Sequence, residues 1–340
     1  MGIKEQKVLL AHGSGGKLSS DLVKRFFIDK FSNPVLDKVT DSALVQAENA
    51  LIAFTTDSYV IDPIFFPGGD IGKLAVCGTV NDLAVSGAQP MFLSTAFIIE
   101  EGFPISQLDK ITNSMAQTSV LAGVKIVTGD TKVVNRGKCD KIFITTSGIG
   151  ILNPKYRHIS TGGNIKAGDV VIVNGTIGDH AIAVLGARES IRFEAELLSD
   201  CAPLNTLIDE LFKADIGIKF MRDLTRGGLG TILAEITEDK TYGIIIDEEQ
   251  IPLKEVVKGT CEIFGFDPLY LANEGKIVII VDKKDAGKAL SIIKNNPYGK
   301  NAQITGEISI NYPGKAVLNS VTGGKRIIDK LAGEMLPRIC

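Results

Sequence analysis

Between residues 50 and 149, short apolar runs alternate with runs of helical spacing, and this alternation limits the open folds more than any other feature. Residues 50–56 (ALIAFTT) read as a buried strand ending at Asp57, and residues 91–99 (MFLSTAFII) as a second. Val124–Thr128, with Gly129 and Asp130 at its end, and Ile142–Ile149 read as two more. Between them, residues 71–86 form a small-residue helix pattern closing near Gly87. In residues 105–122, Ile105, Leu108, Ile111 and Met115 recur at helical spacing, with Ser106 and Asp109 as a capping box. A short apolar strand is expected at Val8–Leu10.

The pattern lapses over Asn153–Lys166 and then resumes. Strands are expected at 170–174, 243–247, 276–281 and 302–309, and helices at 179–187, 203–213, 227–238 and 284–295. The expectation is an α+β protein of two similar domains, 1–155 and 156–330, followed by a mobile tail, 331–340. A length of 340 residues agrees, at roughly 150 residues per domain.

Composition removes several classes of function. The net charge is −3, Trp is absent and aromatics are 6%, so neither a basic surface nor a base-stacking platform points to nucleic acid. No apolar run approaches the roughly 18–20 residues that cross a bilayer. The first residues hold too short an apolar stretch for a signal peptide, and Gln6 breaks a myristoylation pattern. A cytoplasmic protein that binds no membrane is expected. Five scattered cysteines without a CxxC pair fit reduced thiols, and three histidines at unrelated spacings argue against a His-based metal site. Any metal must be held by oxygen, which points to Mg²⁺.

Five segments could carry chemistry. His12-Gly13-Ser14-Gly15-Gly16-Lys17 is a Gly-rich turn that could cradle phosphate, though it is no Walker A loop and an ordinary turn is the simpler alternative. Asp41, Asp57, Asp82 and Asp130 stand at strand ends or helix starts. Each alone could be a cap or a loop acid; converging, they would suit Mg²⁺ on nucleotide phosphates. Asp82 is the most telling, because it lies inside a run of Ala, Val, Leu and Gly, where a carboxylate without a partner is costly. Lys132, two residues beyond Asp130, could neutralise a transferred phosphoryl group or be a surface lysine. Arg222-Asp223-Leu224-Thr225-Arg226-Gly227-Gly228 opens a helix as a second anion cradle. Glu274, in Asn273-Glu274-Gly275-Lys276, could act as a general base or be a turn residue.

The chain ends Pro337-Arg338-Ile339-Cys340. The seven residues from Glu334 can span roughly 23–25 Å when extended, enough to bring a thiol from the surface into a cleft. Cys340 is therefore either a swinging arm or the last residue of a disordered tail.

Together these segments resemble one ATP-using superfamily, which includes aminoimidazole ribonucleotide synthetase, selenophosphate synthetase, thiamine-monophosphate kinase and the hydrogenase maturation factor HypE. The similarity to the HypE family is close. AHGSGGK, TDSYVIDPIFFPGG, IGKLAVCGTVNDLAVSGA, VTGDTKVV, RDLTRGGL, ANEGK and the terminal PRIC follow that family's order from residue 11 to residue 340.

The resemblance implies a two-domain PurM-like α+β fold whose N-terminal domains pair into a β-barrel across a homodimer, with ATP along that interface. It implies that a HypF-type carbamoyltransferase loads Cys340, that ATP drives dehydration of the thiocarboxamide to a thiocyanate, and that iron held by a HypC–HypD complex receives the cyano group. Asp41, Asp57, Asp82 and Asp130 would serve Mg²⁺; Gly13, Ser14, Gly15, Gly16, Lys17, Arg222, Asp223 and Thr225 would join the acids in holding ATP. Glu274 would take protons from the amide nitrogen and Lys132 would polarise the amide oxygen. Two other readings stay open: a small-molecule kinase or synthetase of the same superfamily, and a non-enzymatic assembly scaffold. Selenophosphate synthetases carry their reactive Cys or Sec near the N-terminus, where this chain has Gly and Ser.

Overall fold

The structure is a computed structural model that describes residues 7–13, 16–331, 333, 336, 339 and 340. After a 3-10 turn at Leu10–Gly13, α1 (Lys17–Val23) passes through a π turn, Lys24–Ile28, into α2 (Asp29–Phe31). The strand expected at Val8–Leu10 does not form: these residues are exposed and pair with no sheet, and a strand without a ladder partner has nothing to stabilise it.

In the N-terminal half, β1 (Ala43–Ala47) and β2 (Ala50–Tyr59) form a hairpin. A ribbon of β3 (Phe65–Phe66) and β4 (Gly69–Asp70) leads to α3 (Ile71–Val85), β5 (Ala88–Glu100), α4 (Ile105–Ala122), β6 (Lys125–Val134) and β7 (Ile142–Leu152). The sheet order is β1-β2-β7-β5-β6, with β5 and β6 parallel because α4 carries the chain across between them. Asp57 and Asp130 lie inside β2 and β6 rather than at strand ends; β6 continues to Val134 because its pairing with β5 does. Pro104 is the N-cap of α4 and no side chain caps it, so the Ser106–Asp109 box is not used; Asp109 instead accepts from Asn113 Nδ2 at 3.2 Å.

Thirteen of the fifteen residues of α3 are buried, as a helix apolar on all sides requires. It lies between its own sheet and the C-terminal half, started by Asp70, whose Oδ1 accepts from the Gly72 N–H at 2.7 Å and the Lys73 N–H at 3.1 Å. Among the described residues nothing covers the opposite sheet face, which carries a row of apolar side chains. Phe54, Ile149 and Phe92 stand side by side on β2, β7 and β5, exposed by 45%, 41% and 38%.

The C-terminal half contains β8 (Val170–Val173), α5 (Asp179–Arg188), α6 (Asn205–Lys213), β9 (Ile218–Asp223), α7 (Gly228–Thr237), β10 (Gly243–Asp247) and α8 (Glu255–Phe264). β11 (Ile277–Val281), α9 (Ala286–Asn295), β12 (Gln303–Ser309), β13 (Ala316–Asn319) and β14 (Lys325–Ile328) complete it. The sheet order is β14-β13-β10-β12-β8-β11-β9. β8 and β11 are buried along their whole length, since Ile172, Ile277 and Ile279 pack with α6 and α9 while Val171, Val278 and Ile280 pack with α7. β9, α8, β13 and β14 were not expected from sequence. β9 ends in Arg222-Asp223, so those residues close a strand instead of opening a turn. Among the described residues no helix is long and apolar enough to cross a membrane.

Candidate active site

The site forms where α3 meets the C-terminal half. Asn81 of α3 donates to the Ala202 carbonyl at 3.0 Å and accepts from the Leu204 N–H at 2.8 Å. It also reaches the Glu274 carbonyl at 3.4 Å. One side chain thus ties the N-terminal helix to the loop carrying Glu274. The Glu274 N–H donates to Asp200 Oδ1 at 3.1 Å, and Asp200 is ion-paired with Lys276 at 3.1 Å. Lys276 charge holds the Asp200 carboxyl below its usual range despite burial, which acts the other way.

Glu274 itself is 3% exposed, and its Oε1 has no hydrogen-bond partner among the described residues. Burial first, then the negative charges around it, push its carboxyl well above the usual carboxylate range. A desolvated carboxyl with a spare oxygen is suited to proton transfer.

Beside it lie the acids of the first half. Asp41 is ion-paired with Arg222 at 3.1 Å, and Arg222 reaches Glu235 at 3.3 Å. The Thr55 hydroxyl donates to Asp82 Oδ2 at 2.8 Å, and the Tyr59 hydroxyl to Asp57 Oδ2 at 3.2 Å. Burial raises Asp41, Asp57 and Asp82, and Asp57, Asp223 and Asp41 act in turn on Asp82. Asp223 is pushed up to about 8 by burial and by Asp41 and Asp57. Burial outweighs the Arg222 charge on Asp41 and Asp223 and the Arg226 charge on Asp57, and this donor set of oxygens fits Mg²⁺. Among the described residues no three of them converge as a ready-made cage. Mg²⁺ ordinarily takes one or two carboxylates together with phosphates and water.

Asp130 and Lys132 are not brought to this cluster within the chain. They pair with each other at 2.8 Å, exposed on β6. Asp57 is opposite Thr146, Thr146 opposite Thr95 and Thr95 opposite Gly129, so three strand spacings, about 14 Å, separate Asp57 from that position. Four acids around one point are therefore a property that a single chain does not supply.

Of the first Gly-rich turn, Ser14 and Gly15 lie outside the described residues. The Gly13 carbonyl accepts from Arg226 Nη1 at 3.4 Å, and the Lys17 N–H donates to the Leu331 carbonyl at 3.0 Å. A Cβ on Gly16 would collide with that Leu331 carbonyl, which accounts for the glycine. The loop thus sits against both Arg226 and the root of the tail. Thr225 stands half-buried between Arg222 and Arg226, with its carbonyl accepting from the Gly228 N–H at 3.0 Å.

The end of the chain is docked. The Cys340 backbone oxygen accepts from the Val60 N–H at 3.1 Å, just past β2, and the Ile339 carbonyl accepts from His180 Nε2 at 2.7 Å. Burial pushes the Cys340 thiol up to about 12, with Arg226 opposing and Glu274, Asp57 and Asp223 reinforcing. The thiol is therefore protonated and within the electrostatic reach of all four groups. Sequence reasoning missed Asn81, Asp200 and His180, and named Arg226 only within its Gly-rich turn. Arg226 was legible as the second arginine of its Gly-rich turn; the other three act through partners more than 70 residues away and carry no local signal.

A two-domain α+β fold joined at a carboxylate-rich cleft defines an AIR synthase related protein. Residues 39–152 match the family model described as AIR synthase related protein, N-terminal domain, and residues 166–311 its C-terminal domain. Carbamoyl dehydratase HypE of Rhodobacter capsulatus is 47% identical over 343 residues, covering 100% of both chains. A crystal structure of a HypE–HypF complex superposes with a TM-score of 0.85 at 50% identity, over 91% of this chain and 99% of that one. A HypE structure in complex with ATP superposes at 0.82 and 41% identity, over 98% and 100%. The chain belongs to the HypE family.

Proposed function

We propose that this chain is an ATP-dependent carbamoyl dehydratase that turns a thiocarboxamide carried on Cys340 into a thiocyanate. The observation that supports it most directly is the docked end of the chain, which sets a protonated thiol among Glu274, Arg226 and the acidic cluster. Docked, this thiol is a poor nucleophile at neutral pH, so its loading belongs to the undocked tail. It is a good tether.

The chemistry requires such a site. An amide oxygen does not leave unaided, so it is first phosphorylated by ATP. The oxygen forms a bond to the γ-phosphorus, the bond from that phosphorus to ADP breaks, and nitrogen gives up one proton. Loss of phosphate, with the second proton taken from nitrogen, leaves the nitrile on sulfur. The products are thiocyanate, ADP and phosphate. Glu274 is the base, since its unpaired Oε1 and raised pKa suit it to accept those protons. Arg226 offers positive charge near the reacting group. Mg²⁺, when bound, would be held by carboxylates drawn from Asp41, Asp57 and Asp82 and would neutralise charge on the phosphates.

The bare apolar face of the N-terminal sheet supports pairing of two copies into a barrel. In that arrangement the second copy would bring its own exposed Asp130 and Lys132 to the cleft, Asp130 to the metal and Lys132 to the amide oxygen. The Gly13–Lys17 turn, with Arg222, Asp223 and Thr225, would face ATP. A HypF-type partner would supply the carbamoyl group, and iron held by a HypC–HypD complex would accept the cyano group, in the cytoplasm.

Intact-mass analysis tests the reading. Incubated with its carbamoyl-donor partner, carbamoyl phosphate and ATP, the protein should gain a carbamoyl adduct on Cys340 and then lose one water only while ATP is present. Cys340→Ala should abolish both changes. ATP consumption on a free metabolite by that variant would replace this reading with the kinase or synthetase one, and docking without any change of mass would leave a scaffold.

A further inference from the structure

His180 has no part in the chemistry above, yet it is wholly buried and fully hydrogen-bonded. Its Nε2 lies 2.7 Å from the Ile339 carbonyl, which can only accept, so Nε2 carries the proton. Its Nδ1 lies 2.8 Å from Ser199 Oγ and must then accept the hydroxyl proton. Ser199 Oγ in turn accepts from the Cys201 N–H at 3.1 Å, and the Ser199 N–H donates to the Pro67 carbonyl at 2.8 Å. The chain of donors runs in one direction, from the Cys201 backbone through Ser199 and His180 to the last peptide of the tail. Phe66 meets the imidazole edge-on at 5.4 Å and fixes its plane. Burial holds the ring below its usual pKa, so it stays neutral and keeps this tautomer at pH 7.

We infer that His180, oriented by Ser199, is the latch that seats the tail, a positioning residue that grips the Ile339 carbonyl while the Val60 N–H holds the Cys340 backbone oxygen. Both contacts are to backbone on either side of the Cys340 α-carbon, so the grip does not depend on what the sulfur carries. Loaded and unloaded thiols would be brought to the same depth. The inference deepens the carrier reading and rests on it.

The test measures the rate at which N-ethylmaleimide labels Cys340, by peptide mass spectrometry on the full-length protein. Labelling reports undocked tail, because the docked Cys340 is half-buried and packs against the core around α3 and α5. His180→Leu should label about fivefold faster, the shift that one ordinary net hydrogen bond carries. His180→Gln, whose amide nitrogen can stand where Nε2 stands, should restore the rate toward wild type. Ser199→Ala keeps the imidazole but frees its tautomer, and it should label faster as well, with the His180 Nε2–H signal weakened in ¹⁵N NMR. With wild-type folding, unchanged labelling in both His180→Leu and Ser199→Ala would overturn the latch. If His180→Leu does not fold, Ser199→Ala and His180→Gln decide alone: unchanged labelling in Ser199→Ala, or His180→Gln as fast as a freely mobile tail, overturns it. Failure of the carrier reading shows separately, as a Cys340 that never changes mass in wild type.

Discussion

Glu274 and Asp223 show how burial sets chemistry one residue at a time. Glu274 has an oxygen without a partner among the described residues and a raised pKa, so its removal should be felt in proton transfer alone. Glu274→Gln should leave carbamoylation of Cys340 intact and slow the loss of water by about 10²–10⁴-fold, the usual range for a general base, in single-turnover mass spectrometry. Asp223 makes a prediction about stability. Its folded pKa is about 8 against an ordinary 3.8, so between those values the folded chain holds a proton that the unfolded chain has released. Stability of the nucleotide-free protein should therefore fall as pH rises from about 4 to about 8. Asp223→Asn should flatten that slope in urea midpoints taken across the window; a parallel slope would show that Asp223 is ionised throughout. The sequence marked both residues as site candidates, but nothing in their neighbours told how deeply each is buried.

At the scale of elements, α3 and α4 and the core strands were legible because their apolar periods are long and unbroken. α4 falls at Ile105–Ala122, the expected span. β9 was not, because its Arg222-Asp223 end reads as a turn when the pairing of Asp223 with Ile277 is unknown. The loop before β11 gives a sharp test. A Cβ on Gly275 would collide with the Asp200 carbonyl, a backbone atom that cannot swing aside. Gly275→Ala should lose about 1–3 kcal/mol in urea unfolding, and it should slow dehydration because Glu274 is the adjacent residue. Full stability in that variant would show that the loop has room the packing denies.

At the scale of the whole molecule, the row Phe54, Ile149 and Phe92 leaves one sheet face apolar and uncovered. Ile149→Lys should put a charge at the centre of that row and turn a dimer into a monomer by light scattering, while each chain stays folded. The same variant should lose dehydration activity, since Asp130 and Lys132 lie on β6, three strand spacings (about 14 Å) or more from Asp57 of their own chain. A monomeric wild type would overturn the pairing.

The amino-acid sequence alone determined the α+β class and the order of the principal strands and helices, and it supplied the residue types proposed for a phosphate and metal site, because periodicity and glycine placement are local properties. Its motifs also carried the family. Only the tertiary structure decided that Asp41, Asp57, Asp82 and Asp223 gather while Asp130 stands apart, since strand order rather than chain distance sets which side chains meet. It also decided the fate of the terminal cysteine. Cys340 is seated by the Val60 N–H and by His180, from residues 280 and 160 positions away, and hydrogen bonds across such distances leave no trace in a linear sequence.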